Sequence, residues 1–363
     1  MDDAGYLIRY PRSTDLPGLR ALAAELWGPN FAGQFDSRWW WNDGPPHCWV
    51  SEHVESGAIA AICGARRSRF SLGGKTVSTT TINDWYVSSR HSGKGLGRAL
   101  VSKCAESSDF LYTSAISDSA AVAFTRMGWA GDIRHSMFIG NPHLTALRAQ
   151  RMSSLISIER RRLDGLAPLD LTEIDTIWDS LQWDAVAMMV RDSAFLRNHV
   201  QLSGRQDYSL LVAKEGSRPV GYLLFRILPQ GSFQSVPFGR VGLVSDYLVS
   251  RGDTDVLRAL VATVARHFAT EGVRVLLSLA SDPLHRSVLH RLGLVSPGSA
   301  LGSIGHRFTS RSMYVPTTGG SLLTASWHVT FADNDTDLIL GTASDSPDLR
   351  RWVETTMSRL RSH

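Results

Sequence analysis

Cysteine is scarce in this chain: three residues among 363, at Cys48, Cys63 and Cys104. An odd, widely spaced set excludes a disulfide framework, and no CxxC pair or His/Cys cluster has metal-ligand spacing. No metal is expected, and a reducing compartment, the cytoplasm, is. Long apolar runs are also missing. Nothing approaches the ~20 residues that a membrane helix needs, and the opening MDDAGYLIRYPRS lacks a basic region followed by an apolar one. A soluble protein without a membrane partner is therefore expected. Net charge is low, +4, with arginines spread along the whole length. That is the charge of a solubilising surface, and no nucleic-acid partner is expected from it.

What is present is the composition of a folded protein, 43% hydrophobic and 20% charged, with length enough for two cores. One stretch stands out, Asp84 to Cys104, reading DWYVSSRHSGKGLGRALVSKC. Trp85, Tyr86 and Val87 have the character of a buried strand end. Gly93, Gly95 and Gly97 then permit positive φ and close approach to a ligand. Leu96, Leu100 and Cys104 follow at helical spacing. A glycine loop that opens a helix aims unpaired N–H groups and the positive end of the helix dipole at one spot, which is a phosphate site.

The elements around it alternate. Tyr6–Tyr10 reads as a strand, and Asp15 caps a helix faced by Leu19, Leu22 and Leu26. A loop follows with Trp39, Trp40 and Trp41, then Trp49; three adjacent tryptophans cannot share one face, so this loop either packs on the core as a lid or walls a partly apolar, ring-shaped ligand. Strands are expected over Ala58–Ala65, Val77–Val87 and Phe110–Ile116, and a helix over Ala120–Met127 closed by Gly128. The stretch from Pro142 to Pro168 is rich in arginine and has no strand pattern, so it reads as a partly helical linker.

Beyond it the order repeats. Asp246-Tyr247-Leu248-Val249 matches Asp84-Trp85-Tyr86-Val87, and Leu289–Leu294 matches Phe124–Trp129. Where the glycine loop should recur stands Ser250-Arg251-Gly252-Asp253-Thr254-Asp255, whose acidic residues would repel a phosphate. The second copy is expected not to bind one. A strand at Ser326–Phe331, a polar turn at Asp333, Asp335 and Asp337, and a helix at Pro347–Leu360 complete the chain.

The loop Ser92-Gly93-Lys94-Gly95-Leu96-Gly97 resembles the (Arg/Gln)-x-x-Gly-x-(Gly/Ala) signature of the GNAT acyltransferase superfamily. Ser117–Ala120, Phe124 and Gly128-Trp129 look like that family's Asn-x-x-Ala-x-x-x-Tyr-x-x-x-Gly-Phe element. The resemblance spans about Tyr6 to Gly131. It implies an α+β (α/β) fold of two tandem GNAT-like domains, each a mixed central sheet flanked by helices. The boundaries expected are 1–145 for the first, 146–167 for the linker, 168–315 for a degenerate copy and 316–363 for an extension.

The resemblance also implies a ligand, acetyl-CoA or another acyl-CoA, and an acceptor, a small-molecule amine. The amides from Gly93 to Arg98 would hold the pyrophosphate, with Ser92, Lys94, Leu96 and Phe124 around it. An N–H near Tyr86 or Val87 would polarise the thioester carbonyl. Asp84 would act as a base through water, the alternative being a carboxylate bonded within the fold. Ser92 replaces a side-chain phosphate donor, and Phe124 replaces a tyrosine that protonates the leaving thiolate. Tyr86, Tyr112 or water could stand in. Transfer to a hydroxyl, use of a carrier-protein thioester, or an acyl-CoA sensor without activity are the competing readings. His47 and His91 are possible bases, although a lone histidine is more often a surface or structural residue; Ser114 or Cys63 as a covalent nucleophile has no supporting His/Asp pattern, so direct transfer is expected.

Overall fold

The computed structural model describes residues 5–29, 48–106, 108–114, 116–149, 156–163, 171–181, 186–202, 208–228, 240–250, 252–296, 309–316 and 326–333. Trp39, Trp40, Trp41, His47, Asp335, Asp337 and the helix expected at 347–360 lie outside these residues. Two compact units divide the chain, 1–133 with 311–325, and 134–310 with 326–363.

The first unit is built on β1 (Tyr6–Arg9), α1 (Leu16–Trp27), β2 (Cys48–His53), β3 (Ala58–Leu72), β4 (Lys75–Val87), α2 (Leu96–Ala105), β5 (Phe110–Thr113) and α3 (Asp118–Arg126). β1 to β4 form an antiparallel meander, and β5 joins β4 in parallel. Leu96, Leu100, Val101 and Cys104 of α2 and Ala121 and Phe124 of α3 bury one sheet face with Cys63, Ile82 and Leu111. Asp15 stands at the start of α1, but its carboxylate binds the Arg9 guanidinium at 2.6 and 2.8 Å and the Arg12 amide instead of capping the helix. Arg9 and that amide hold it below the usual carboxylate range although burial opposes them.

The second unit comprises β6 (Ala130–Gly140), which the chain enters from the first unit, then α4 (Pro142–Arg148), β7 (Ile156–Leu163), α5 (Thr172–Ser180), β8 (Val186–Met189) and α6 (Ser193–Leu202). It continues with β9 (Tyr208–Glu215), β10 (Arg218–Leu228), β11 (Val241–Val249), α7 (Thr254–Thr270), β12 (Val275–Ala280) and α8 (Pro283–Arg291). Its strand order, β7-β9-β10-β11-β12-β6, has the same pattern as that of the first, β1-β2-β3-β4-β5 followed by β13 (Thr309–Pro316), with one parallel pair in each order.

The sixth strands are exchanged. β6 follows α3 in sequence, yet its residues from Ser136 to Gly140 pair with β12. β13 (Thr309–Pro316) follows α8, yet it lies antiparallel to β5, from Met313 opposite Thr113 to Pro316 opposite Phe110. The expected boundaries therefore need correction. The first unit ends earlier than residue 145, and 311–325 return to it. Pairing between strands far apart in sequence leaves no mark on either strand, so contiguity was a poor guide.

The expected linker is corrected too, because it contains β7, paired with β9 along its full length. It is an edge strand, and its arginines suit that place: Arg161 bonds Glu159 and Glu173, and charge on an edge discourages pairing with another chain.

One buried cluster joins an arginine to two carboxylates. Arg191, fully enclosed, bonds Asp246 of β11 at 3.0 Å and Asp333, and Tyr222 donates to Asp246 at 2.6 Å. One guanidinium serves two carboxylates, so the cluster favours keeping a proton. Burial pushes Asp333 up to about 6, although Arg191 pulls it the other way. The folded chain thus holds a proton that the unfolded chain releases near pH ~4. Its stabilising contribution is complete below that pH and is lost as the pH rises through about 6. Asp333→Asn, neutral throughout, should gain melting temperature relative to wild type between pH ~4 and ~7; a difference independent of pH would contradict this.

Candidate functional site

The site begins where two strands part. β4 and β5 pair from Thr79 opposite Phe110 to Ile82 opposite Thr113, and there the ladder ends. β4 runs on to Val87 along β3, with one extra residue: Gly64 lies opposite Asp84 and Ala65 opposite Ile82, which leaves Asn83 as a β-bulge. A bulge bends its strand and increases twist, which carries β4 away from β5. The second unit repeats this. Leu224 lies opposite Asp246 and Phe225 opposite Val244, so Ser245 is the extra residue, and the β11–β12 ladder ends at Leu243 with Leu277. In both units an aspartate follows the bulge, which is strong structural support for the repeat.

The gap in the first unit exposes a known set of backbone groups. Ser88 N–H donates to Ala60 O on β3 at 2.8 Å. Alternate residues of an antiparallel strand bond the same neighbour, so Tyr86 also turns its amide to β3. Trp85 and Val87 turn theirs to the edge that β5 has left. Of the two amides expected to polarise a carbonyl, Val87 N–H is the one facing the gap.

Past Val87 the chain makes a short turn at Ser89–His91 and enters the glycine loop. Gly93 and Gly95 have φ of +74° and +77° with open space where a Cβ would be, so the backbone conformation itself calls for glycine. Gly97 is needed for a different reason: a Cβ there would sit 2.8 Å from the Trp85 ring. α2 therefore lies directly on Trp85, whose Nε1 donates to Gly97 O at 3.1 Å. No side chain caps α2, and no acidic residue stands in its first turn. Its leading amides, from Leu96 to Arg98, keep their capacity for an anion. Ser92, Lys94 and Arg98 are exposed beside them, and Leu96 is buried as an anchor.

The corresponding helix of the second unit differs. Asp253 caps α7, its Oδ1 accepting from Val256 N–H at 3.0 Å. A carboxylate of the chain takes the anion's place, a firmer reason than repulsion for that copy to hold no phosphate.

The remaining expected residues separate into two groups. Asp84, Tyr86 and Ser88 alternate on the face toward α1, where Ser88 meets Glu25. Asp84 is 3% exposed, in a row with Gly64 and Cys48. Burial, with the Asp84 charge second, pushes the Cys48 thiol up. Tyr86 is half-buried. By contrast, Tyr112 is fully enclosed, its hydroxyl bonded to Ser312 at 2.9 Å and its ring 4.9 Å from Phe70. Phe124 lies between Trp85 and Trp129, with ring centroids at 4.6 and 4.4 Å. Both are core residues. Phe124 packs on Trp85, which lies against α2.

One residue at the site was missed in the sequence. Glu25 of α1 accepts from Ser88 Oγ at 2.9 Å, Ser89 N–H at 2.7 Å and Ser89 Oγ at 2.7 Å. It fixes the turn between the Val87 amide and the glycine loop, and the Ser89 bonds hold its carboxyl below the usual range. A glutamate on an exposed helix face carries no local signal of this contact. His91 is likewise committed, its Nδ1 lying 2.8 Å from the Tyr6 hydroxyl.

Residues 17–129 match the model of the acetyltransferase (GNAT) family. No curated protein matches the chain. Among solved structures it is similar to a GCN5-related N-acetyltransferase from Anabaena variabilis, with a TM-score of 0.61 at 12% identity over 86% of this chain and 72% of that one. A tandem GNAT protein from the clavulanic acid biosynthesis pathway gives 0.50 at 12% identity, over 87% and 99%. Saccharomyces cerevisiae N-myristoyltransferase with bound myristoyl-CoA gives 0.52 at 10% identity, over 90% and 85%. At these identities the likeness is one of fold.

The contact of α2 with Trp85 can be tested directly. Gly97→Ala should lower stability by about 1–3 kcal/mol through overpacking and alter tryptophan emission, read by chemical denaturation; an unchanged midpoint would show that the helix lifts off freely.

Proposed function

We propose that the chain, whose residues 17–129 match the acetyltransferase (GNAT) family, is a GNAT acyltransferase whose first unit is an acyl-CoA-dependent N-acyltransferase. It transfers the acyl group, most simply acetyl from acetyl-CoA, to the amine of a small molecule by direct attack in a ternary complex. One observation carries this reading. The strand edge freed beyond Ile82 ends in the Val87 amide, and the same chain continues within a few residues to an uncapped helix N-terminus. A thioester and a pyrophosphate joined by a flexible arm fit those two features together.

The chemistry follows from the groups present. The pyrophosphate accepts hydrogen bonds from the amides at the start of α2, with Lys94 and Arg98 adding positive charge. The arm lies along the free edge of β4, and the thioester oxygen accepts from Val87 N–H. The amine attacks the carbonyl carbon, the C–N bond forms, and the oxyanion gathers charge on that N–H. Collapse expels the CoA thiolate and leaves an amide. The amine's proton passes through water to Asp84. With Tyr112 and Phe124 in the core, the thiolate takes its proton from water or Tyr86; a thiol of pKa ~8.5 leaves without a strong acid.

Calorimetry with acetyl-CoA, coupled to thiol release over a panel of small amines, tests the reading. One acetyl-CoA per chain and amine-dependent release are expected; binding with no release from any amine would leave only a donor-binding protein. Gly95→Glu should abolish binding by setting a carboxylate at the phosphate position. Asp84→Asn should lower kcat by about 10²–10⁴-fold; unchanged kcat/KM would remove Asp84 from the mechanism. Glu25→Ala should raise the Kd for acetyl-CoA several-fold while the melting temperature holds; equal affinity would show that the turn keeps its shape without it.

A further inference from the structure

The second unit has the same diverging strands as the first, and its gap is filled. Beyond Leu243 and Leu277 the two strands continue, β11 to Val249 and β12 to Ala280. The segment 326–333 lies against both. His328 Nε2 donates to the backbone oxygen of Tyr247 at 3.0 Å, and Thr330 Oγ1 donates to Asp246 Oδ1 at 2.6 Å, both on β11. Ser281, the residue after β12, donates its hydroxyl to Trp327 O and accepts the Val329 N–H at 2.8 Å. Within the segment β14 (Ser326–His328) pairs in parallel with β8, from Ser326 opposite Val186 to His328 opposite Met188. Asp333 then accepts from Thr330 N–H at 2.6 Å and from Arg191. Trp327, His328, Val329, Thr330, Ala332 and Asp333 are all buried.

We propose that the divergent-strand cleft of the second unit is a peptide-binding groove whose ligand is the chain's own segment 326–333. The groove reads three chemical features. Extended backbone is matched by β8 and by the Ser281 hydroxyl, which serves as donor and acceptor at once. An imidazole N–H reads the Tyr247 carbonyl, and this fixes the neutral His328 ring as its Nε2–H tautomer; burial, and then the Arg191 charge, hold its pKa well down. A carboxylate reads Arg191, which Asp246 orients from the other side. Asp246 is thereby a structural residue, although it occupies the position of Asp84. The comparison with an acyl arm rests on the reading of the first unit, but the peptide site does not.

Hydrogen exchange on the full-length chain tests this without any acyl donor, so its outcome is separable from that of the activity assays. The amides from Trp327 to Thr330 should exchange on the order of a hundredfold or more slowly than in a free peptide of the same sequence. Exchange at free-peptide rates would overturn the proposal. Asp333→Ala and, separately, His328→Ala should each speed exchange in 327–330 at least tenfold while the β9–β10 amides keep their protection. Protection in 327–330 unchanged in both variants would also overturn it. If either variant lost protection throughout, the wild-type rates and the other variant would decide. A labelled peptide spanning 325–335 should bind the Asp333→Ala chain and not the wild type, whose groove is occupied; equal binding to both would show that it sits elsewhere.

Discussion

A strand edge inside a protein cannot be left bare. Each amide that loses its partner must find another, because an unsatisfied buried donor costs about 1–3 kcal/mol. In both units one inserted residue, Asn83 or Ser245, bends a strand away from its parallel neighbour and creates such an edge. Everything specific about the two halves follows from what satisfies it. In the first unit the free edge leads to an open helix terminus and calls for a ligand. In the second the segment 326–333 lies against β11 through His328 and Thr330, and the helix terminus is closed by Asp253.

The two helix ends show how few residues separate binding from its loss. Gly93 and Gly95 let the backbone turn so that the amides of α2 point outward together. An aspartate at the equivalent place folds back on its own helix and spends the same amides internally. In the second unit Arg191 is a fully buried cation that is tolerable only because Asp246 and Asp333 flank it.

The features legible in the sequence were those set by neighbours along the chain. The glycine loop, the helix after it and the repeated Asp-aromatic strand end each carry a local chemical reason, and each is where the spacing put it. Features that depend on distant pairing were not legible. β7 reads as a linker because the apolar alternation of Ile156 and Ile158 gives way at once to a run of arginines. Tyr112 reads as a candidate acid because a lone tyrosine on a strand says nothing of Ser312, which lies two hundred residues away. Glu25 escaped notice because it touches the loop through space alone. The same limit hid the role of Asp333, which belongs to an acidic run that reads as a solvated turn.

The exchange of β6 and β13 bears on how such a chain can be inherited. A gene cut between its two halves would encode a first half whose sheet stops at the bare edge of β5, carrying a strand whose partner, β12, lies in the other product. Neither product would be a complete fold. Duplication followed by strand exchange is thus a ratchet: after it, recombination can no longer return the halves to independent genes.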